Sequence, residues 1–159
     1  MNELSHFNAN GDAHMVDVSA KSANHREAIA SGRILMQPET LALIASGSHK
    51  KGDVLAVARI AGIMACKRTA ELVPLCHQVP LSHVAIDFRI DNAMDAVICE
   101  ARVATVAVTG IEIEALLAVQ ISLLTVYDMC KAVDRGMMID KIGLLKKSGG
   151  RTGEWTRDT

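Results

Sequence analysis

The chain has 159 residues, of which 50% are hydrophobic, so it can bury one sizeable core but is too short for two ordinary domains. Its 17 basic and 18 acidic side chains give a net charge of −1. That balance excludes the global positive field that would attract nucleic acid or an anionic membrane, so an anionic ligand must be bound by lysines and arginines gathered locally.

The four cysteines, Cys66, Cys76, Cys99 and Cys130, are widely spaced along the chain. They form neither a Cys-x-x-Cys motif nor a Cys/His pattern with zinc-site spacing, so we expect reduced thiols rather than disulfides or a metal site. No signal-peptide segment opens the sequence, and no uninterrupted apolar run reaches the roughly 18 residues of a membrane helix. We therefore expect a cytoplasmic protein without a membrane span.

Residues 1–24 are polar and aperiodic, which predicts a flexible N-terminal arm on a single domain that spans residues 1–159. The patterns that follow are strand 26–36, helix 39–46, helix 52–69, strand 82–90, strand 97–106, helix 110–133 and strand 137–145. With the two long helices this order is β-α-β-β-α-β, which predicts an α+β, ferredoxin-like sandwich. Residues 146–159 are basic and glycine-rich and should form a flexible C-terminal tail.

Both long helices are rich in small aliphatic residues, and only 3% of the chain is aromatic. The helix at 52–69 carries apolar side chains on more than one face, a pattern typical of a helix that is buried on both sides. One small sheet cannot cover so many apolar faces, so we expect a homo-oligomer.

Two lysines, Lys50 and Lys51, precede the helix that begins near Asp53. The helix macrodipole disfavours cations at this end, and a bound anion would relieve the conflict. Lys51 is therefore a candidate for binding phosphate or transferring a proton. The alternative is that both lysines are solvated loop residues and that Asp53 is the N-cap.

Leu75, Cys76 and His77 follow Pro74 in the connection between a helix and a strand. Adjacent Cys and His side chains diverge, so they seldom act as a nucleophile and its base. His77 is the better candidate, either as a ligand contact or as a general acid or base, because loop residues more often serve function than packing.

Acidic residues mark both ends of the long helix at 110–133. Thr109 and Glu112 have the spacing of a capping box, which gives Glu112 a structural interpretation. Capping does not explain Glu114, which is the better candidate for binding a polar heterocycle. Asp128 and Lys131 are neighbours on one helix face. They form either a functional pair that is partly withdrawn from water or an ordinary solvated ion pair.

Glu114 and Asp128 are 14 residues apart, which is about 21 Å along a helix. Both can line one small pocket only if that pocket lies between subunits. Residues 146–153 combine cations with glycines but lack the following helix of a P-loop. They form either a flexible tail or a mobile arm that closes over phosphates.

These motifs resemble those of the MoaC family, the cyclic pyranopterin monophosphate synthases of molybdenum cofactor biosynthesis. The resemblance covers nearly the whole chain, and seven blocks in this order carry it. They are MVDVSAK at 15–21, KGDV at 51–54, ARIAGI at 58–63, PLCH at 74–77, TGIEIEAL at 109–116, YDMCKA at 127–132 and KSGG at 147–150.

The resemblance implies a lyase that converts 3′,8-cyclo-7,8-dihydroguanosine 5′-triphosphate to cyclic pyranopterin monophosphate and diphosphate, with no metal or organic cofactor. It implies a homohexamer, a trimer of dimers, with sites at subunit interfaces. Asp128, Lys51 and Lys131 would be the catalytic residues. The substrate-binding residues would be Leu75, Cys76, His77, Ile113 and Glu114, with Glu112, Asp17, Lys21, Arg26 and Lys147 in support.

The chain departs from the family pattern at two positions. Val108 stands where a basic residue is expected, and Gln78 replaces an expected proline. These changes would weaken a phosphate contact and relax the His77 loop, respectively. The alternative function is a non-catalytic, ferredoxin-like module that binds a small ligand, because fold does not fix function. A nucleotide pyrophosphohydrolase would need paired carboxylates for Mg²⁺, and the sequence shows no such cluster.

Overall fold

An antiparallel sheet with two long helices on one face forms the architecture of this chain. The computed structural model describes residues 5–47, 53–150 and 153–158. In chain order the elements are β1 (Asn24–Leu35), α1 (Pro38–Ala45), α2 (Val54–Cys66), α3 (Thr69–Leu72), β2 (Leu81–Asp91), β3 (Ala96–Ala107), α4 (Glu112–Cys130), β4 (Met138–Ser148) and β5 (Trp155–Thr156).

The strands are ordered β2-β3-β1-β4-β5, and every neighbouring pair is antiparallel. α4 packs on β1, β3 and β4, while α2 packs on α4 and β2. The elements from β1 to β4 thus keep the β-α-β-β-α-β order, with small helices added, and the predicted ferredoxin-like α+β fold is confirmed.

Alternating side chains give the sheet one buried face. Along β3, Val97, Cys99, Ala101 and Val103 are completely buried under the helices, whereas Glu100 and Arg102 between them are exposed. This is the period of two that the sequence showed for 97–106. The hairpin turn before β3 is closed by the Asp91 carboxylate, which accepts hydrogen bonds from two backbone N–H groups.

Two glycines allow the helices to approach closely. A Cβ on Gly32 of β1 would lie less than 3 Å from Val119 and Ile142. The absence of a side chain at this position therefore lets α4 approach the sheet closely. A Cβ on Gly62 of α2 would overlap Ser122 of α4. The Ser122 hydroxyl instead donates to the Ala58 carbonyl at 3.2 Å. Close helix packing explains how the chain fills its core with few aromatic residues.

One face of α2 is not covered within the chain. Val57, Ile60 and Met64 are 42%, 60% and 53% exposed, and their spacing places them in one stripe along the helix. One chain therefore buries only one side of this helix, and the burial of the other side in a homo-oligomer stays a prediction. At the start of α2, the Asp53 carboxylate accepts a hydrogen bond from Ala56 N at 3.0 Å, which confirms Asp53 as the N-cap.

The C-terminal part differs from the predicted elements. β4 continues to Ser148, three residues into the segment expected to be a tail, and β5 pairs with Lys146 and Lys147. Apolar alternation ends before these residues, and pairing with β1 provides their regular structure.

The sequence predicted no membrane-spanning helix, but α4 is long and apolar enough to cross a membrane by length and composition. Half of that helix is buried inside the chain, however, as in a core helix.

Candidate functional site

A cleft of about 730 Å³ opens beside the first turn of α4. Three segments meet there with the end of β4: the N-terminal segment, the α3–β2 loop and the β3–α4 connection. The lining residues are Ser5, His6, Lys21, Val73, Pro74, Leu75, Cys76, His77, Thr109, Gly110, Glu112, Ile113 and Lys147. Seven of the ten residues predicted to bind substrate are in this list, so residues far apart in the sequence form one concave site.

Glu112 and Lys147 face each other inside the cleft. Lys147 Nζ lies 3.2 Å from Glu112 Oε1, and both side chains are about one quarter exposed. Gly110 makes this arrangement possible, because a Cβ at that position would overlap the Glu112 carboxylate. An acid and a cation are therefore fixed together at the cleft wall.

The capping box predicted for Thr109 and Glu112 is wrong. α4 begins at Glu112 with Ile111 in the N-cap position, and no side chain caps the helix. The helix starts later than the pattern indicated, and the Glu112 carboxylate turns toward Lys147 instead of toward a backbone N–H. A charged partner from a distant strand replaces the local hydrogen bond.

Glu114 is buried beneath the Cys76–His77 loop. Its side chain is only 2% exposed, and among the described residues its Oε2 atom has no hydrogen-bond partner. The other carboxyl oxygen, Oε1, lies 3.9 Å from the Cys76 thiol. Burial raises the pKa of the Glu114 carboxyl, and the nearby Glu112 raises it further. An orphaned buried oxygen is costly unless something else binds to it.

A smaller cavity of about 220 Å³ also borders this loop. Glu114 lines it together with Cys66, Lys67, Arg68 and Gln78, and His77 lines both this cavity and the main cleft. His77 is thus placed where the two spaces meet. Gln78, the residue that replaces the expected proline, belongs to the small cavity rather than to the cleft.

The cysteines near the site are poor nucleophiles. Burial raises the pKa of the Cys76 thiol, and the Glu114 carboxyl raises it further. Burial also raises the pKa of Cys66 to about 12, and that thiol donates a hydrogen bond to the Glu114 carbonyl at 3.1 Å. Because the thiolate is the reactive form, Cys76 is better suited to contacting a ligand than to attacking one.

Besides Glu114, two more of the predicted substrate-binding residues, Arg26 and Asp17, lie outside the cleft lining. Arg26 on β1 donates from Nε to the Ala107 carbonyl at 2.9 Å and from Nη2 to the Val108 carbonyl at 3.0 Å. Asp17 accepts a hydrogen bond from Ser19 N at 2.9 Å, and this bond lowers the pKa of its carboxyl. Val108 therefore contacts Arg26 through its backbone carbonyl, and this contact does not depend on the Val108 side chain.

Asp128 and Lys131 lie at the opposite end of α4. Lys131 Nζ is 2.6 Å from Asp128 Oδ1, and this hydrogen bond raises the pKa of Lys131. The side chains are 62% and 54% exposed, so within one chain they form the solvated ion pair that was one of the two alternatives. They line a separate recess with Leu124, Thr125 and Tyr127.

The helix connecting the two regions is continuous, so Glu114 and Asp128 remain about 21 Å apart along its axis. One chain does not bring the two ends of α4 into one pocket. Lys51, the third predicted catalytic residue, lies outside the described residues. In the part of the chain that the structure describes, no group of three or more His, Cys, Asp or Glu side chains could hold a metal ion.

The sequence reasoning missed Ser5 and His6. No periodicity marks the segment that contains them, and a short backbone turn shapes it, in which His14 N donates to the His6 carbonyl at 2.9 Å. The bridge between Phe7 and Ala13 belongs to the same turn. In the sequence, the only feature that could have pointed to a functional role for this segment was a titratable histidine in a polar arm.

Comparison with known proteins identifies the family of this chain. Residues 15–150 match the MoaC family. Proteins named cyclic pyranopterin monophosphate synthase from two strains of Chloroflexus aurantiacus are 60% identical over 156 residues, which cover 98% of this chain and 96% of theirs. A protein of the same name from Thermomicrobium roseum is 57% identical over 158 residues, 99% of this chain and 95% of its own. The predicted family is confirmed, and the chain belongs to the MoaC family.

Proposed function

We propose that this chain is a lyase of molybdenum cofactor biosynthesis that converts 3′,8-cyclo-7,8-dihydroguanosine 5′-triphosphate to cyclic pyranopterin monophosphate and diphosphate. The observation that carries the proposal is the cleft itself. It gathers two lysines, two histidines and a carboxylate, and all of these except His6 lie within the residues that match the family. No metal or organic cofactor is part of the proposal.

The triphosphate binds to Lys21 and Lys147, which both line the cleft. Glu112 fixes the Lys147 ammonium at 3.2 Å, so the cation is already oriented when the substrate arrives. Fixed cations stabilise the negative charge that develops on the departing diphosphate, and they act strongly in a site from which water is excluded.

The heterocycle binds against Glu114 and the Leu75–His77 loop. The orphaned Glu114 Oε2 gains a hydrogen-bond partner from a polar ring, which removes the cost of its burial. His77 borders both cavities and so can move protons while the purine ring opens and the cyclic phosphate closes. Cys76 and Ile113 complete the wall through contact with the substrate.

The second half of each active site comes from a neighbouring subunit of a homohexamer, arranged as a trimer of dimers. Two observations support this part of the proposal. The exposed stripe of Val57, Ile60 and Met64 needs a partner. The exposed pair of Asp128 and Lys131 contributes little in water but becomes chemically useful once a partner excludes the solvent.

Asp128, Lys131 and Lys51 then act as the proton-transferring and charge-stabilising residues, as the family motifs imply. We place the enzyme in the cytoplasm. The alternative, a non-catalytic module that binds a small ligand, has no use for an acid and a cation fixed at each end of one apolar helix.

Direct turnover tests the proposal. The purified protein is incubated with the cyclised GTP intermediate, and both diphosphate and the cyclic pyranopterin are measured. We expect stoichiometric release of the two products, and Asp128→Ala serves as the inactive control. Binding of the intermediate without release of diphosphate would identify a binding module instead.

A further inference from the structure

The side chain of Arg26 connects the two walls of the cleft from outside. Its guanidinium donates to the carbonyls of Ala107 and Val108, the last residue of β3 and the one after it. Thr109 and Gly110, which follow directly, line the cleft. The two parallel N–H donors of the Arg26 guanidinium thus fix the backbone at the point where the chain leaves the sheet and leads to α4.

The other side of Arg26 lies against the end of β4. Gly149 and Gly150 have φ values of +88° and +77°, which favour glycine, and they wrap over Arg26 directly after Lys147 and Ser148. A Cβ on Gly150 would overlap Nη1 of Arg26. Gly150 N also donates to the Asn24 side-chain oxygen at 3.3 Å, so this turn is tied to β1.

These contacts place one arginine between the segment that leads to Glu112 and the segment that presents Lys147. We propose that Arg26, seated under Gly149 and Gly150, is a positioning residue that sets the place of the Lys147 ammonium relative to Glu112. It acts through Lys147 and is not itself a substrate contact. This inference rests on the proposed function, in which Lys147 binds the triphosphate.

The alternative to this role is that of a further phosphate-binding cation. Nε and Nη2 are both engaged by carbonyl oxygens, and Arg26 is not among the cleft-lining residues. A lysine keeps the charge and most of the aliphatic stem but cannot make the two parallel hydrogen bonds. Both a positioning role and direct phosphate binding would use these two donors, so a Lys147→Ala background is what separates the two roles.

The test compares Arg26→Lys with wild type, and Arg89→Lys is the matched control at the far end of β2, where the arginine is exposed and pairs with Asp91. We expect Arg26→Lys to lose about tenfold or more in kcat/KM, because a small displacement of a binding group is costly. The control should equal wild type. Gly150→Ala leaves the Arg26 charge but crowds the guanidinium and strains a backbone with φ of +77°, so it should also lower kcat/KM.

The same substitution is then made in a Lys147→Ala background. If Arg26 acts through Lys147, Arg26→Lys should cost less than about threefold further there, since coupled residues are not additive. Amide hydrogen exchange at 108–110 and 147–150 should accelerate in Arg26→Lys while the melting temperature stays close to that of wild type. A general structural role would instead lower the melting temperature.

Wild-type kcat/KM in Arg26→Lys would overturn the inference, as would a full multiplicative loss in the Lys147→Ala background. Failure of the proposed function is recognised separately. In that case the wild-type protein releases no diphosphate, while the hydrogen-exchange comparison still reports whether Arg26 holds the two segments together.

Discussion

Lys147 Nζ and Glu112 Oε1 are 3.2 Å apart and join the end of β4 to the first turn of α4 inside the cleft. The two residues are 35 positions apart in sequence, and each alone has an ordinary structural interpretation. Together they fix a cation where a triphosphate can reach it. The arrangement resembles other sites in which a carboxylate orients the group that contacts the substrate.

Removal of the cation should affect catalysis far more than folding. Lys147→Ala is expected to lower kcat/KM on the order of 10²-fold, the scale of a lost charge-stabilising group. The ion pair is partly exposed, so unfolding free energy should fall by no more than about 1 kcal/mol. Steady-state kinetics and denaturant unfolding measure the two effects. An equally active Lys147→Ala variant would remove Lys147 from the site.

Glu114 should make the stability of the ligand-free protein depend on pH. Burial raises its folded-state pKa above the ordinary value of 4.5, so the folded chain holds this proton more tightly than the unfolded chain. Stability is then lost as the pH rises from 4.5 through the folded-state pKa.

Glu114→Gln removes that titration and keeps the shape of the side chain. We expect it to melt above wild type at pH 8, with the difference shrinking toward pH 4.5, while turnover falls because the carboxyl group is lost. Calorimetry across this range decides the point. A variant that melts below wild type at pH 8 would show that the carboxylate has a stabilising partner.

Much of the fold was predictable because side-chain alternation reports burial directly. Val84, Ile86 and Phe88 in β2 face the core as their spacing indicated. The end of β4 was not predictable, because Lys146 and Lys147 owe their strand conformation to pairing with β1 and β5. Long-range pairing leaves no local pattern in a sequence.

The candidate site was predictable in part, for different reasons. The family resemblance identified His77, Glu114 and Lys147, and the helical rise predicted that Glu114 and Asp128 would be far apart in one chain. The sequence alone could not distinguish the capping role of Glu112 from its pairing with Lys147, since that partner comes from another strand. The solvent exposure of Asp128 likewise depends on neighbours that one chain does not contain.

The exposed stripe on α2 should be needed for assembly. Ile60→Asp places a charge on a side chain that is 60% exposed in the single chain, so it should not disturb the core but should weaken any interface that covers the stripe. Light scattering is expected to give about six chains for wild type and for Ile60→Leu, and fewer for Ile60→Asp. A wild-type hexamer in Ile60→Asp would place the interface elsewhere.

The N-terminal segment should order around the substrate. Ser5, His6 and Lys21 line the cleft, although residues 1–24 lack the apolar periodicity that would anchor them. Ligand contacts can offset the entropy cost of fixing such a segment.

Deleting residues 1–21 should therefore remove activity and barely change the melting temperature. Amide hydrogen exchange should show residues 5–21 and the glycine-rich end of the chain protected when a substrate analogue binds. Equal protection with and without the analogue would mean that neither end responds to the ligand.

The central claim is that each active site combines His77 of one subunit with Asp128 of another, and subunit complementation tests it most directly. His77→Ala and Asp128→Ala chains are each expected to be inactive alone. Co-expressed in equal amounts, they should recover about one quarter of wild-type turnover, because random pairing leaves that fraction of shared sites intact. If mixed oligomers form, as mass spectrometry would show, and turnover stays at the level of the single variants, both residues serve the same chain and the account is contradicted.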